Sequence, residues 1–248
     1  LMNKKIAIST SFLLLFTVTG TLRAQYATSW WGLRAGADLA NESLTPPDNA
    51  SVGMRAGALG GLVFEHWFND TWGLGAGLLY DQKGASETYA SSAYNREITV
   101  GSVTTLYSGT DNFTLSYLEV PVLLKFSFGE GDIRPYIAAG PSFGFLLSAS
   151  ENTTSVAPNE GTIAPIDNLK SYMQSLDVSI YGGLGLADEI YHGPMLTFDA
   201  GYAAGMTKIF KSNPTRVATN GQSFPAPIDL STAKSADIVI AIGILWRM

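Results

Sequence analysis

The sequence predicts an all-β protein, an eight-stranded antiparallel transmembrane up-and-down β-barrel, on three observations. Only 15% of the residues are charged, against roughly 25% in ordinary soluble domains, while 46% are hydrophobic, 11% are aromatic and 26 are glycine. Eight stretches alternate apolar with small or polar residues at a period of two. The connections between those stretches are alternately short and long. The apolar and aromatic content excludes a disordered chain.

The first segment reads as an export signal over residues 1–24. Lys4 and Lys5 precede an apolar run from Ile6 to Val18, and small residues lead to a cleavage point after Ala24. That run is shorter than the roughly 20 residues a spanning helix needs. Cleavage removes Lys4, Lys5 and Arg23 and no acid, so a chain of formal net charge −6 becomes more acidic still, which leaves nucleic acid out as a partner. The absence of cysteine removes disulfides, thiolate catalysis, thiolate metal sites and an N-terminal lipid anchor. No continuous apolar run of helical membrane length follows Gln25, so a bilayer can be crossed only by a closed barrel whose backbone groups pair between strands.

The strands follow in order, each with a lipid-facing and a lumen-facing series. Trp31, Leu33, Ala35, Ala37 and Leu39 stand opposite Gly32, Arg34, Gly36 and Asp38. Met54, Ala56, Ala58, Leu62 and Phe64 stand opposite Arg55, Gly57, Gly61 and Glu65, and Trp72, Leu74, Ala76, Leu78 and Tyr80 opposite Gly73, Gly75, Gly77 and Asp81. The fourth, Leu115 to Phe128, sets Leu118, Val120, Val122, Leu124 and Phe126 against Tyr117, Glu119, Pro121, Lys125 and Ser127. The fifth turns Ile137, Ala139, Phe143, Phe145 and Leu147 outward, the sixth Val178, Ile180, Leu184 and Leu186, and the seventh Leu196, Phe198, Ala200 and Tyr202. In the eighth, Ile238, Ile240, Ile242, Ile244 and Trp246 share one face.

The links after the second, fourth and sixth strands are short: Asn69 to Thr71, Gly129 to Asp132 and Asp188 to Gly193. The others are long: Asn41 to Val52, Gly84 to Phe113, Ser148 to Ser175 and Lys211 to Lys234. Short periplasmic turns with long extracellular loops distinguish an outer-membrane barrel of a Gram-negative bacterium from a soluble sandwich, and an even strand number puts both termini in the periplasm. Trp30, Trp31, Phe68, Trp72, Phe128 and Trp246 then gather at the periplasmic rim as an aromatic girdle.

An eight-stranded barrel has an interior just wide enough for side chains to fill. Arg34, Arg55 and Lys125, with Glu65, Asp81, Glu119, Asp177, Asp199 and Asp237, are therefore expected to pair as a plug of salt bridges, because an unpaired buried charge costs several kcal/mol. The Gly-x-Gly runs make room for those side chains; no helix N-terminus follows them to hold a phosphate. His66 and His192 both register at the periplasmic end, away from any site at the outer rim. The sequence thus offers no catalytic residue, no cofactor site and no metal site, and no loop carries calcium-ligand spacing. The loops at Gly84 to Phe113 and Ser148 to Ser175, rich in Ser, Thr, Tyr and Asn, are the places for recognition.

The stretches Trp31 to Leu39, Gly77 to Gly84, Tyr117-Leu-Glu-Val-Pro-Val-Leu-Leu-Lys125, Arg134-Pro-Tyr-Ile-Ala-Ala-Gly-Pro-Ser142 and Asp199 to Thr207 resemble the PorT-family outer-membrane β-barrel proteins, part of the outer membrane protein beta-barrel domain group. The resemblance spans about residues 30 to 248, departing where the chain ends in Trp246-Arg-Met instead of a terminal aromatic. It implies the fold and the location and little about activity, although the family's name comes from a component associated with protein secretion. The expectation is a non-enzymatic monomer with a plugged lumen, surrounded by outer-membrane lipid, meeting an envelope protein or an extracellular glycan or protein through its long loops. The alternatives are an accessory subunit of transport or protein secretion, a narrow pore and, last, a lipid hydrolase.

Overall fold

In every spanning strand the residues that alternate in sequence also alternate in burial, so the pleat assigns one series to the lumen and the other to the surroundings. The structure, a computed structural model, describes residues 27–42, 50–89, 96–100, 103–107, 109–128, 131–154, 156–157, 161–162, 164–166, 168–190, 193–212, 215–217, 223–225 and 232–248. The expected signal segment and His192 lie outside them. Eight strands form the wall: β1 (Thr28–Glu42), β2 (Ala50–Trp67), β3 (Trp72–Lys83), β4 (Gly109–Ser127), β5 (Ile133–Thr153), β6 (Leu176–Glu189), β7 (Met195–Gly205) and β8 (Ser235–Arg247). Each pairs antiparallel with its neighbours in sequence, and β1 pairs with both β2 and β8, from Trp30↔Arg247 to Glu42↔Ser235. The sheet closes on itself, which removes the exposed edges of an open sheet.

Between the rims the lipid-facing series is apolar in all eight strands. Leu33 is 50% exposed, Leu184 and Ile242 are 64% exposed, and comparable side chains surround the barrel. An apolar surface of that extent marks a partner that is itself apolar, here a bilayer. The lumen holds two apolar layers. One, with Trp30, Val63, Trp67, Met195 and Leu245, lies at the short-turn end; the other, with Phe113, Leu115, Tyr117, Leu146 and Phe210, lies at the opposite end. Trp30, expected in the girdle, is instead only 2% exposed, because its parity is opposite to that of Trp31 and turns it inward.

The wall is taller than the sequence pattern indicates on one side. Part of the stretch from Gly84 to Phe113, expected as a loop, is strand: Ala85–Tyr89 continues β3 and is held between Ala50–Met54 of β2 and Gly109–Asn112 of β4. Likewise β5 runs on to Thr153 instead of ending near Leu147. Outside the bilayer neither face of a strand needs to be apolar, so the alternation disappears while Thr and Tyr still favour extended backbone. Gly84 makes the join: its φ is +156°, and a Cβ there would stand 2.0 Å from the carbonyl oxygen of Phe113. Above the wall the connections carry small hairpins, Arg96–Val100 with Val103–Tyr107 and Thr215–Val217 with Ser223–Pro225.

Candidate functional site

Closing the ring brings the inward charges of distant strands together in two groups. In the first, the Arg34 guanidinium of β1 lies 2.9 Å from Asp199 of β7 and 3.8 Å from Glu65 of β2. Lys125 of β4 donates to Glu65 and stands 4.2 Å from the centre of the Tyr136 ring. Tyr136 donates to Asp199 at 2.5 Å, and the Trp67 indole donates to Glu65 at 3.3 Å. Two cations and two anions balance here, and the aromatic groups supply further donors and a π face. Glycines make the space: a Cβ on Gly185 would sit 2.3 Å from the Tyr136 ring, and one on Gly201 2.4 Å from the Tyr181 hydroxyl.

The second group centres on Lys83, at the end of β3. Its ammonium lies 2.8 Å from Asp237 of β8, 3.2 Å from Glu119 of β4 and 3.4 Å from Asp81. Ser142 donates to Glu119 at 2.6 Å. Asp38 is fully buried beside the group, and neither of its oxygens has a hydrogen-bond partner among the described residues. Nearby, Asp177 accepts from Thr207 at 2.9 Å and from Ser235 at 3.0 Å. The acids outnumber the cation in this layer, so Lys83 is the only positive charge holding it among the described residues.

Of the residues expected to form the plug, Arg34, Glu65, Asp81, Glu119, Lys125, Asp199 and Asp237 lie in these groups, with Asp177 nearby. Arg55 does not join them. It pairs across to Ala40, one row beyond Asp38↔Gly57 towards the long connections, and its Cδ packs near Gly84; among the described residues it makes no ion pair. Lys83 was not among the candidates, although it shares the parity of Asp81 two residues earlier. Among the described residues, one space lies beside Lys83, Asp177 and Asp237 and another beside Arg34, Glu65 and Lys125, each about 10 Å³, room for a single water.

At the long-connection end, part of Ser148 to Ser175, expected as a recognition loop, folds inward together with the chain just after the seventh strand. The 3₁₀ turn Leu169–Tyr172 and the backbone bridge between Met173 and Phe210 lay Ile166, Leu169, Met173, Ile209 and Phe210 over the mouth. Backbone bonds tie this cap together, Gln174 N to Ile209 O and Lys211 N to Tyr172 O, both at 2.7 Å. Ile166, Leu169 and Met173 lie in the polar stretch Ser148 to Ser175 and Ile209 and Phe210 just before Lys211, but their lack of period gives no face to assign.

On the outside, Trp31 and Trp246 meet at 5.6 Å between ring centres, and Trp72 meets Phe126, which in turn meets Phe128. These rings sit at the short-turn rim, at the level of the strand ends. His66 lies there too, its Nδ1 2.9 Å from the Ser29 hydroxyl and its ring edge-on to Phe68; among the described residues no carboxylate hydrogen-bonds to it. No group of described residues could hold a metal ion.

Residues 23–211 match the family model described as outer membrane protein beta-barrel domain. No curated protein sequence matches the chain. Among solved structures, the chain is similar to the outer membrane protein OprG from Pseudomonas aeruginosa, at 12% identity over 91% of this chain and 97% of that one, with a TM-score of 0.45. It is also similar to Neisserial surface protein A, at 12% identity over 89% and 99% with a TM-score of 0.44. A third is Ail, the attachment invasion locus protein of Yersinia pestis, at 12% identity over 88% and 99% with a TM-score of 0.37.

Proposed function

Because this chain belongs to the outer membrane protein beta-barrel domain family and so resides in the outer membrane, we propose that it is a closed, non-enzymatic barrel that displays its long connections at the cell surface as a structural or surface-interaction element. The observation that carries this reading is the filled lumen. The two charged groups are packed among two apolar clusters, and the spaces beside the charges are about 10 Å³ each, too small for a solute. Residues 1–24 are its cleaved signal peptide, and both termini face the periplasm beside the short turns, the arrangement usual for such barrels. Tyr117 to Lys125 and Arg134 to Ser142 support a place in the PorT-like part of the family. The protein acts as a monomer, and an envelope protein or an extracellular glycan or protein meets the hairpins above the wall.

Purified full-length protein in a planar bilayer is expected to give no stable unit conductance; a reproducible conductance step would overturn the closed-lumen reading. Replacing residues 96–107 with a short Gly-Ser turn should leave insertion intact, read as the heat-dependent shift on a detergent gel, while weakening surface binding. Loss of insertion in that variant would make the hairpin part of the fold instead of a display element.

A further inference from the structure

The outer wall carries a groove of about 520 Å³ that the closed lumen does not use. It runs across five strands between two cross-strand rows. Leu33, Ile244, Leu196 and Asp188 are register partners in one row, and Ala35, Ile242, Phe198 and Leu186 are register partners in the other. All these residues point outward, and all but Asp188 are apolar.

The register also gives the groove a direction. Ile133, the partner of Asp188, is the first residue of β5, and Asp188 is next to the last of β6. Leu196 is the second residue of β7, whereas Leu33 lies well inside β1. The groove therefore begins at the short-turn rim with a carboxylate and descends into the apolar belt, ending at the small side chain of Ala35. Four strand spacings of about 4.8 Å make it about 19 Å long. With strands tilted about 35–45°, that path rises about 12 Å along the barrel axis, close to the roughly 15 Å depth of one leaflet.

We propose that this groove binds one phospholipid of the leaflet at the short-turn rim, its acyl chain between the two rows and an amine-bearing headgroup beside Asp188. The apolar lining matches the chain, and the carboxylate at the rim matches an ammonium group over an anionic headgroup without one. The assignment rests on the outer-membrane reading, and on the termini facing the periplasm for that leaflet to be the phospholipid one.

The test uses the full chain refolded in detergent micelles and titrated with phosphatidylethanolamine or phosphatidylglycerol of identical acyl chains, with bound lipid counted by native mass spectrometry. The wild type should hold phosphatidylethanolamine several-fold more tightly than phosphatidylglycerol. Asp188→Asn should make the two equal, and Ala35→Phe, which fills the deep end, should weaken both about tenfold. Equal binding of the two lipids by the wild type would overturn the headgroup assignment, and unchanged binding by Ala35→Phe would overturn the groove. Should Ala35→Phe fail to fold, Ala35→Leu is the smaller obstruction and carries the same expectation. A wild type with no heat-dependent gel shift would instead reject the barrel itself, so the two failures are separable.

Discussion

Lys83→Met is expected to cost about 3–5 kcal/mol of stability, the loss usual when one partner of a buried ionic cluster is removed. The ammonium sits within 3.4 Å of three carboxylates from β3, β4 and β8, and Asp38 lies buried alongside. Without it these acids repel one another in a space that admits no more than a water. Urea unfolding in lipid vesicles, followed by tryptophan fluorescence and gel mobility, measures the loss. A second change, Asp237→Asn in the Lys83→Met background, should restore part of it, because it removes one of the stranded charges. A loss below about 1 kcal/mol would mean that the cation does not hold the layer together.

Ile240→Arg is the second large effect. Ile240 lies near the middle of β8, 43% exposed, on the face shared with Ile238 and Ile242. In a bilayer an arginine there costs about 2–4 kcal/mol, and progressively less towards the rims. On a soluble sheet the same exposed position would tolerate it within about 0.5 kcal/mol. The same unfolding measurement separates the two cases, with Arg at Trp246, near the rim, as the milder comparison. Equal and small effects at both positions would be incompatible with a lipid-facing belt.

The wall was legible because the membrane writes a simple rule into it: every second residue of a spanning strand must be apolar. Leu33, Leu62, Leu124 and Ile242 all face outward as their alternation requires. The same parity placed Arg34, Glu119, Lys125 and Asp199 inside. It also carried Lys83, two residues after Asp81, but the apolar series stops at Tyr80, and a series ended there leaves Lys83 unassigned just before the connection that begins at Gly84. Arg55 failed for the converse reason: parity gives the face and not the partner, and Arg55, although it shares the Ala40 row with Asp237, makes no ion pair among the described residues. The extension Ala85–Tyr89 lost its signal when it left the bilayer. The cap built from Leu169, Met173, Ile209 and Phe210 depends on contacts between separate connections, which no local pattern encodes.

The origin of the two charged layers bears on how the barrel assembles. One draws on β1, β2, β4 and β7, the other on β3, β4 and β8. No hairpin holds either set by itself, so a partly assembled sheet keeps unmatched charges that favour water over the hydrocarbon. Asp237, the shortest contact of Lys83, is delivered by the strand that also seals the ring against β1. Expulsion of water and the final seam are thereby coupled into one cooperative event, with β8 acting as an electrostatic latch.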